Sequence, residues 1–240
     1  MFMDPLVTSQ GRAPFMSMLA ILGAGGHGKI VADCAELQGW ETVHFYDDAW
    51  PDRVTTEHWP IQGSGRHLLQ NLRHYGGVFV AIGNNRRRCS WLQVLAAQGA
   101  PIVSLIHPAA MVSRYAELGM GTLAVAGCIV NAFTRCGEGT IINTGATVGH
   151  DCLLGQGVHV APGANLAGHV VVGAYTWVGI GARVIQCVTI GKGVFIGAGA
   201  TVIGSVRDGE KVVGTPARPL RDTFDATGEE LSPTLAASSS

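Results

Sequence analysis

Charge is scarce in this sequence. Asp, Glu, Lys and Arg make up only 14% of it, against about a quarter in an ordinary globular chain. The few charges balance, 16 basic against 17 acidic. No basic field therefore marks the chain for nucleic acid. The six cysteines, at 34, 89, 128, 136, 152 and 187, form no CxxC pair and no zinc-finger spacing. That argues against a disulfide scaffold and against a structural zinc site. A membrane span is missing as well. Cys152 to Ala182 carries no Asp, Glu, Lys or Arg, but His159, Pro162, Asn165, His169 and repeated glycines interrupt it. Residues 1–17 have an early acid and no apolar h-region. They read as a disordered lead-in without a secretory pattern, and the expected location is cytoplasmic.

Glycine and aliphatic residues are what the chain has in excess. Glycine stands at 34 of 240 residues, about twice the usual ~7%. Hydrophobic residues reach 47%, too many for a disordered chain. This combination calls for a search for repeats. Every sixth position from Leu118 to Val202, fifteen in all, is small or aliphatic, and Val112 and Ile106 extend the series backwards. The next residue is glycine in eight of the fifteen units, among them Gly149, Gly173 and Gly191. Neither a helix nor an ordinary strand has that period. A triangular β-solenoid does, with one hexapeptide on each flat face and the aliphatic residue pointing into the prism. Glycine and small residues then serve the corners, and the ends need caps.

The residues before the repeat read differently. Met18–Gly23 is a buried-strand signal that runs into Gly23-Ala-Gly-Gly-His-Gly-Lys29. An amphipathic helix follows and stops at Gly39. Thr42–Tyr46 reads as a second strand ending in Asp47-Asp48, and Gly77–Ile82 as a third ending in Gly83-Asn84-Asn85. A helix from about Arg86 to Ala97 completes a small parallel α/β unit. Gly23, Gly25 and Gly28 match the dinucleotide fingerprint, with Asp47 about 20 residues on. Only half of a dinucleotide fold precedes the repeat, so a nucleotide diphosphate is the better expectation than NAD. A glycine loop at a helix N-terminus offers backbone N–H groups to an anion. The Arg86-Arg87-Arg88 run opposes the macrodipole of its helix, and a bound phosphate would relieve that conflict. Asp47 or Asp48 could accept from a base or a ribose hydroxyl.

The period-six pattern resembles the hexapeptide-repeat, left-handed parallel β-helix proteins. The GAGGHGK unit and the later INTGATVGHDC stretch narrow the resemblance to the PglD/PerB/NeuD group of sugar acyltransferases. It covers roughly residues 18–220. The expected fold is an α/β Rossmann-like half-domain (18–103) followed by an all-β left-handed parallel β-helix (104–220), with a tail over 221–240. The resemblance implies an acetyl-CoA co-substrate, no metal, and an acceptor that is a nucleotide-linked 4-amino-4,6-dideoxy sugar. It also implies a homotrimer with sites between subunits.

The resemblance also supplies site residues. His150 matches the family base, and Asp151 the carboxylate that follows it. The chemistry wants such a pair, because an amine must lose a proton as it attacks a thioester. Imidazole is the side chain suited to accept it, and a carboxylate on its other nitrogen holds the tautomer. Gly168 lies one coil of 18 residues beyond His150 and matches the position whose N–H binds the acetyl carbonyl. His159 matches a histidine near the acetyl group, although a structural histidine at a trimer seam fits it nearly as well. Ile180 and Ala198 match backbone positions along the CoA arm. Gly23, Gly25, Gly26, His27, Gly28, Lys29, Asp47, Asp48, Asn84, Asn85, Arg86 and Asn143 are the expected nucleotide-sugar residues. Gly149 stands where several relatives carry an acid. Cys152 reads as a buried repeat residue rather than a nucleophile.

Three other readings stay open at this level. One is a sialic-acid-type O-acetyltransferase on the same two domains. Another is a non-catalytic nucleotide-binding scaffold. The third, a zinc hydrolase on the same prism, needs clustered imidazoles. The 150, 159 and 169 spacing supplies no evident close pair for it.

Overall fold

The computed structural model describes residues 17–220. The expectations for 1–16 and for 221–240 lie outside them.

The first part is a five-stranded sheet in the order β3-β4-β2-β1-β5. Its strands are β1 (Met18–Leu22), β2 (Thr42–Tyr46), β3 (Thr55–Thr56), β4 (Trp59–Gly63) and β5 (Gly77–Val80). β1 pairs in parallel with both β2 and β5. It is apolar throughout because both of its faces are covered. Leu19 and Ile21 pack with Val31 and Ala35 of helix α1 (Gly26–Leu37). Ala20 and Leu22 pack with Leu68 of α2 (Gly65–Asn71) and Leu92 of α3 (Asn85–Ala97). The α1 and α3 N-termini thus open at the C-terminal ends of β1 and β5. The β3–β4 hairpin and α2 have no clear sequence signal. β3 is only two residues long, and β4, although its burial alternates from Trp59 to Gly63, is interrupted by Pro60 and ends in glycine.

From Leu105 the chain winds into a triangular prism. Seventeen two-residue strands recur every six residues, from Leu105–Ile106 to Thr201–Val202. They form three parallel sheets whose neighbours lie 18 residues apart, as in Ile129 with Thr147. The second residue of each strand is the aliphatic one of the repeat, and it points inward. Val130, Ile142, Val148, Val160, Val178 and Ile196 are all buried in one core. A second inward column went unread in the sequence. Cys128, Ala146, Cys152, Val158, Ala164 and Val170 fill the same core four residues after each aliphatic position. Where that column holds threonine, its hydroxyl is tied back to a backbone carbonyl, as from Thr140 to Gly137.

The glycines after the aliphatic residues do a different task from the expected one. They do not carry the left-handed corners. They let coils stack closely: a Cβ on Gly155 would lie 2.5 Å from the Ala174 nitrogen, and one on Gly149 2.5 Å from the Ala167 carbonyl carbon. Gly149 therefore answers to the next coil, which is a physical reason for its lacking an acidic side chain. The left-handed residues come two positions later.

One buried cation clamps the two parts together. Arg88 is fully buried. Its guanidinium donates to the carbonyls of Gly139 (2.8 Å), Gly157 (3.0 Å) and Ile82 (3.0 Å), and to Asn85 Oδ1 (2.9 Å). Asn85 in turn donates to the Tyr175 and Thr176 carbonyls. The α3 N-terminus is thus pinned to the eight-stranded sheet of the prism and to the corner that precedes it.

Candidate active site

His150 and Asp151 occupy the corner between the six-stranded and five-stranded sheets, just after Thr147–Val148 and before Leu153–Leu154. The backbone there is left-handed at Asp151, with φ 57°. This turn throws the carboxylate back toward the preceding ring, so that Asp151 Oδ2 lies 2.7 Å from His150 Nδ1. The pair sits in solvent, with the His150 side chain 60% exposed. His150 Nε2 faces Gly168, where a Cβ would stand only 2.5 Å from it. Glycine is therefore required one coil below the imidazole. The Gly168 N–H has no acceptor among the described residues. An imidazole with one nitrogen held by a carboxylate and the other free beside a spare N–H donor can accept a proton close to a group able to stabilise negative charge.

A further histidine joins this corner. His169 stacks one coil beyond Asp151, its Nε2 3.6 Å from Asp151 Oδ2 and its ring 5.1 Å from that of His150. This corrects the expectation that the prism lacks a close imidazole pair. Coil spacing counted from Asp151 rather than from His150 would have revealed it.

His159 does not reach that corner. It lies on the eight-stranded sheet, buried under the α/β part, with its ring 4.2 Å from Trp177 and 6.2 Å from His27. Its Nε2 is 3.1 Å from Asn143 Nδ2. Burial, then the charge of Arg88 and the His27 ring, hold His159 well below its ordinary value. Burial, with Arg88 second, lowers His27 to about 4. His159 Nδ1 and His27 Nε2 are both buried without a partner among the described residues. Asn143 is likewise buried, which removes it from the open position expected of a sugar contact in the single chain.

Ile180 and Ala198 are exposed at the next corner, between the eight-stranded and six-stranded sheets. Their N–H groups have no acceptor among the described residues. Gly145, Gly163, Gly181 and Gly199 line that corner, each left-handed and open on the side where a Cβ would stand. The structure thus brings His150, Asp151 and Gly168 together at one corner, and Asn143, Ile180 and Ala198 along another. One chain does not join the two.

The glycine loop opens on a cleft of about 320 Å³ whose walls include Gly23, Gly25, Asp47, Asp48, Arg87 and Trp91. Gly25 and Gly26 have open space where a side chain would be, whereas a Cβ on Gly28 would come within 2.9 Å of the Phe45 ring. Gly28 is a packing glycine of α1 against β2. The Asp47 carboxylate accepts from the Ala24 N–H (2.7 Å) and the Ala49 N–H (2.9 Å). Asp47 therefore shapes the loop, whereas Asp48 stands at the cleft edge and pairs with Arg87 at 3.9 Å. Lys29 pairs with Glu57, and Arg53 donates to the Ala24 carbonyl. Both Glu57 and Arg53 lie in the stretch the sequence left unread.

The three arginines part company. Arg86 lies over the Tyr175 ring at 4.8 Å, beside a small cleft that also touches Asn84, Asn85, Trp177 and Gly193. Arg87 faces the glycine-loop cleft, and Arg88 is the buried clamp. Arg88 is thus corrected from a possible phosphate contact to a structural tie. Asn84 caps α3 by accepting from the Arg87 N–H. The Asn85 side chain is fully engaged in the junction.

Comparison with known proteins finds matches in both parts of the chain. Residues 18–95 match the PglD N-terminal domain family, and residues 169–204 match the bacterial transferase hexapeptide family of six repeats. The acetyltransferase domain of PglB from Neisseria gonorrhoeae FA1090 superposes with a TM-score of 0.81 at 40% identity, over 85% of this chain and 100% of that one. The chain belongs to the PglD/PerB/NeuD-like family of sugar acyltransferases. Its prism is the left-handed parallel β-helix of hexapeptide-repeat acetyltransferases. PerB from Caulobacter crescentus, solved in complex with CoA and GDP-perosamine, superposes with a TM-score of 0.80 at 38% identity, over 85% of this chain and 97% of that one. The PglB domain has also been solved with acetyl coenzyme A. A curated relative, UDP-N-acetylbacillosamine N-acetyltransferase of Bacillus subtilis (strain 168), is 35% identical over 114 residues. That match spans 46% of this chain and about half of the relative, 52%. Among the described residues no helix is long and apolar enough to cross a membrane.

Proposed function

We propose that this protein is an acetyl-CoA-dependent N-acetyltransferase acting on the 4-amino group of a nucleotide-linked 4-amino-4,6-dideoxy sugar. The observation that carries the chemistry is the His150–Asp151 pair, with Nδ1 held at 2.7 Å and Nε2 left free beside Gly168. The acceptor amine attacks the thioester carbonyl while His150 Nε2 takes its proton. Asp151 stabilises the imidazolium through Nδ1. The carbonyl oxygen gains negative charge, which the Gly168 N–H receives, an interaction worth roughly 2.7–4 kcal/mol where such donors have been removed elsewhere. The tetrahedral adduct collapses with loss of the CoA thiolate, and the imidazolium returns the proton to sulfur. The acetyl group is then on nitrogen, and the base is regenerated. Cys152 takes no part, because it is fully buried in the prism core.

The acetyl donor is assigned to the glycine-lined corner, with its arm against the free N–H groups of Ile180 and Ala198. The nucleotide diphosphate is assigned to the α1 N-terminus, with Gly25, Gly26, Asp48 and Arg87 around it. In one chain the α/β part covers the eight-stranded sheet, opposite the His150 corner. A homotrimer would bring the His150 corner of one subunit to the glycine-lined corner of the next. Phe133, Leu153 and Val171, exposed near the His150 corner, suit such a seam.

The test is acetyl transfer from acetyl-CoA to UDP-, dTDP- and GDP-linked 4-amino-4,6-dideoxy sugars, with sialic acid alongside. Turnover with one aminated nucleotide sugar is expected. Turnover with sialic acid alone would replace this reading by O-acetylation. A monomer in sedimentation under assay conditions would remove the shared site.

A further inference from the structure

The acetyl-transfer reaction gives His169 no task, yet the structure holds its imidazole beside Asp151. We propose that His150, Asp151 and His169 form a three-ligand site for a late first-row divalent cation, zinc above all, and that its occupation arrests the transferase. The binding half stands on geometry alone; the arrest half rests on the function proposed above.

The donor set suits such an ion. Two imidazoles and one carboxylate favour late first-row metals over calcium or magnesium. One ligand atom from each residue can be chosen so that all lie within 4.8 Å of one another. Zinc bonds of about 2.0–2.2 Å in a tetrahedron place neighbouring ligand atoms about 3.3 Å apart. The observed separations, 2.7 Å from His150 Nδ1 to Asp151 and 3.6 Å from His169 Nε2 to Asp151, straddle that value. Small side-chain rotations would close the site, and all three side chains have solvent around them in the chain. Three protein ligands leave a fourth position for water.

The scaffold under these ligands is rigid. Asp151 and His169 stand one above the other in the coil ladder. The His169 N–H donates to the His150 carbonyl at 2.9 Å, and the Asp151 N–H to the Ala132 carbonyl at 3.1 Å. His169 has φ 57°, a left-handed conformation that residues other than glycine rarely adopt. The prism tolerates an imidazole at a place better suited to glycine.

Occupation changes the base in a definite way. Zinc on Nδ1 takes the place of the Nδ1 proton, and the single proton of the neutral ring moves to Nε2. The nitrogen that should accept the amine's proton then carries one already. Asp151 is drawn onto the metal at the same time. No redox step and no second reactant are needed.

The experiment uses the full chain, freed of metal by chelation. Cobalt(II) is titrated and followed by its visible d–d absorption, then displaced with zinc. One cobalt per chain, with a spectrum of imidazole–carboxylate ligation, is expected. His169→Asn, which suits the left-handed backbone, should weaken binding at least 10-fold, and Asp151→Asn likewise. Acetyl transfer is read by product mass, because zinc also binds free CoA thiol. Zinc should abolish transfer by the parent protein in step with occupancy, and a chelator should restore it. No saturable cobalt band, or a band indifferent to both substitutions, overturns the site. Stoichiometric zinc with undiminished turnover overturns the arrest. Metal binding by a protein that acetylates none of the acceptors upholds the site and overturns the proposed function instead.

Discussion

Two corners of the prism share one backbone shape and differ in what they carry. At the corner between the eight-stranded and six-stranded sheets, the left-handed positions are Gly127, Gly145, Gly163, Gly181 and Gly199. At the next corner, 18-residue steps place Phe133, Asp151, His169 and Cys187 in the same conformation, with φ between 57° and 61°. The hydrogen bonding is alike: Gly163 N–H reaches the Thr144 carbonyl just as Asp151 N–H reaches that of Ala132. A left-handed side chain costs about 1–2 kcal/mol, so the second corner gives up several kcal/mol in conformational preference. In return it presents functional groups on a rigid coil. The glycine corner presents bare backbone, which a long ligand can approach closely. The contrast separates a track for a co-substrate from a platform for chemistry.

The sharpest way to break this comparison is at its chemical end. His150→Ala should lower kcat by about 10²–10⁴-fold while acetyl-CoA binding and the unfolding midpoint stay close to those of the parent. Steady-state kinetics with a binding titration would check it, and undiminished turnover would remove the platform from catalysis.

The third side of the prism offers a contrast of a different kind, because its histidines are buried. His27 falls to about 4 from an ordinary value near 6.5, and His159 is also well below it. The unfolded chain therefore binds more protons than the folded one below pH 6.5, and stability must rise with pH there. The contribution is complete above that value and is lost as pH falls toward about 4. Each proton should add a slope approaching about 1.4 kcal/mol per pH unit. Denaturant melts across this range would show it. A profile flat down to pH 4 would mean that water or acid opens the junction freely.

A smaller effect probes the track. Gly181→Val should destabilise by about 1–2 kcal/mol and raise the KM for acetyl-CoA several-fold, with kcat nearly unchanged. If kcat falls instead, the glycine corner belongs to the chemistry. The least change is expected at the far end of the platform. Cys187→Gly should stabilise the fold slightly, by less than about 1 kcal/mol in thermal melts, without touching either kinetic constant.

Legibility in the sequence followed the length of each pattern. The prism was readable because one residue type recurs every sixth position, and each coil repeats the same local demand. His150 and Asp151 were readable as a motif. The hairpin and α2 between residues 55 and 71 were not, since their strands are short and their sheet position depends on β2. Asp47 and Asp48 look equivalent in the chain, yet backbone N–H groups occupy only the first. Nothing local distinguishes Arg86, Arg87 and Arg88 either. One lies over an aromatic ring, one faces a cleft, and one is buried among carbonyls, because α3 docks at a single angle.

By itself the sequence determined the solenoid, the glycine loop at a helix N-terminus, and the imidazole–carboxylate pair. All of these are specified by neighbours within one or two repeats. Only the tertiary structure decided that His169 meets Asp151, that His159 is sealed away from His150, and that Arg88 is a clamp. Those contacts depend on coil register and on how two independently patterned parts pack, and neither is set by any short stretch of chain.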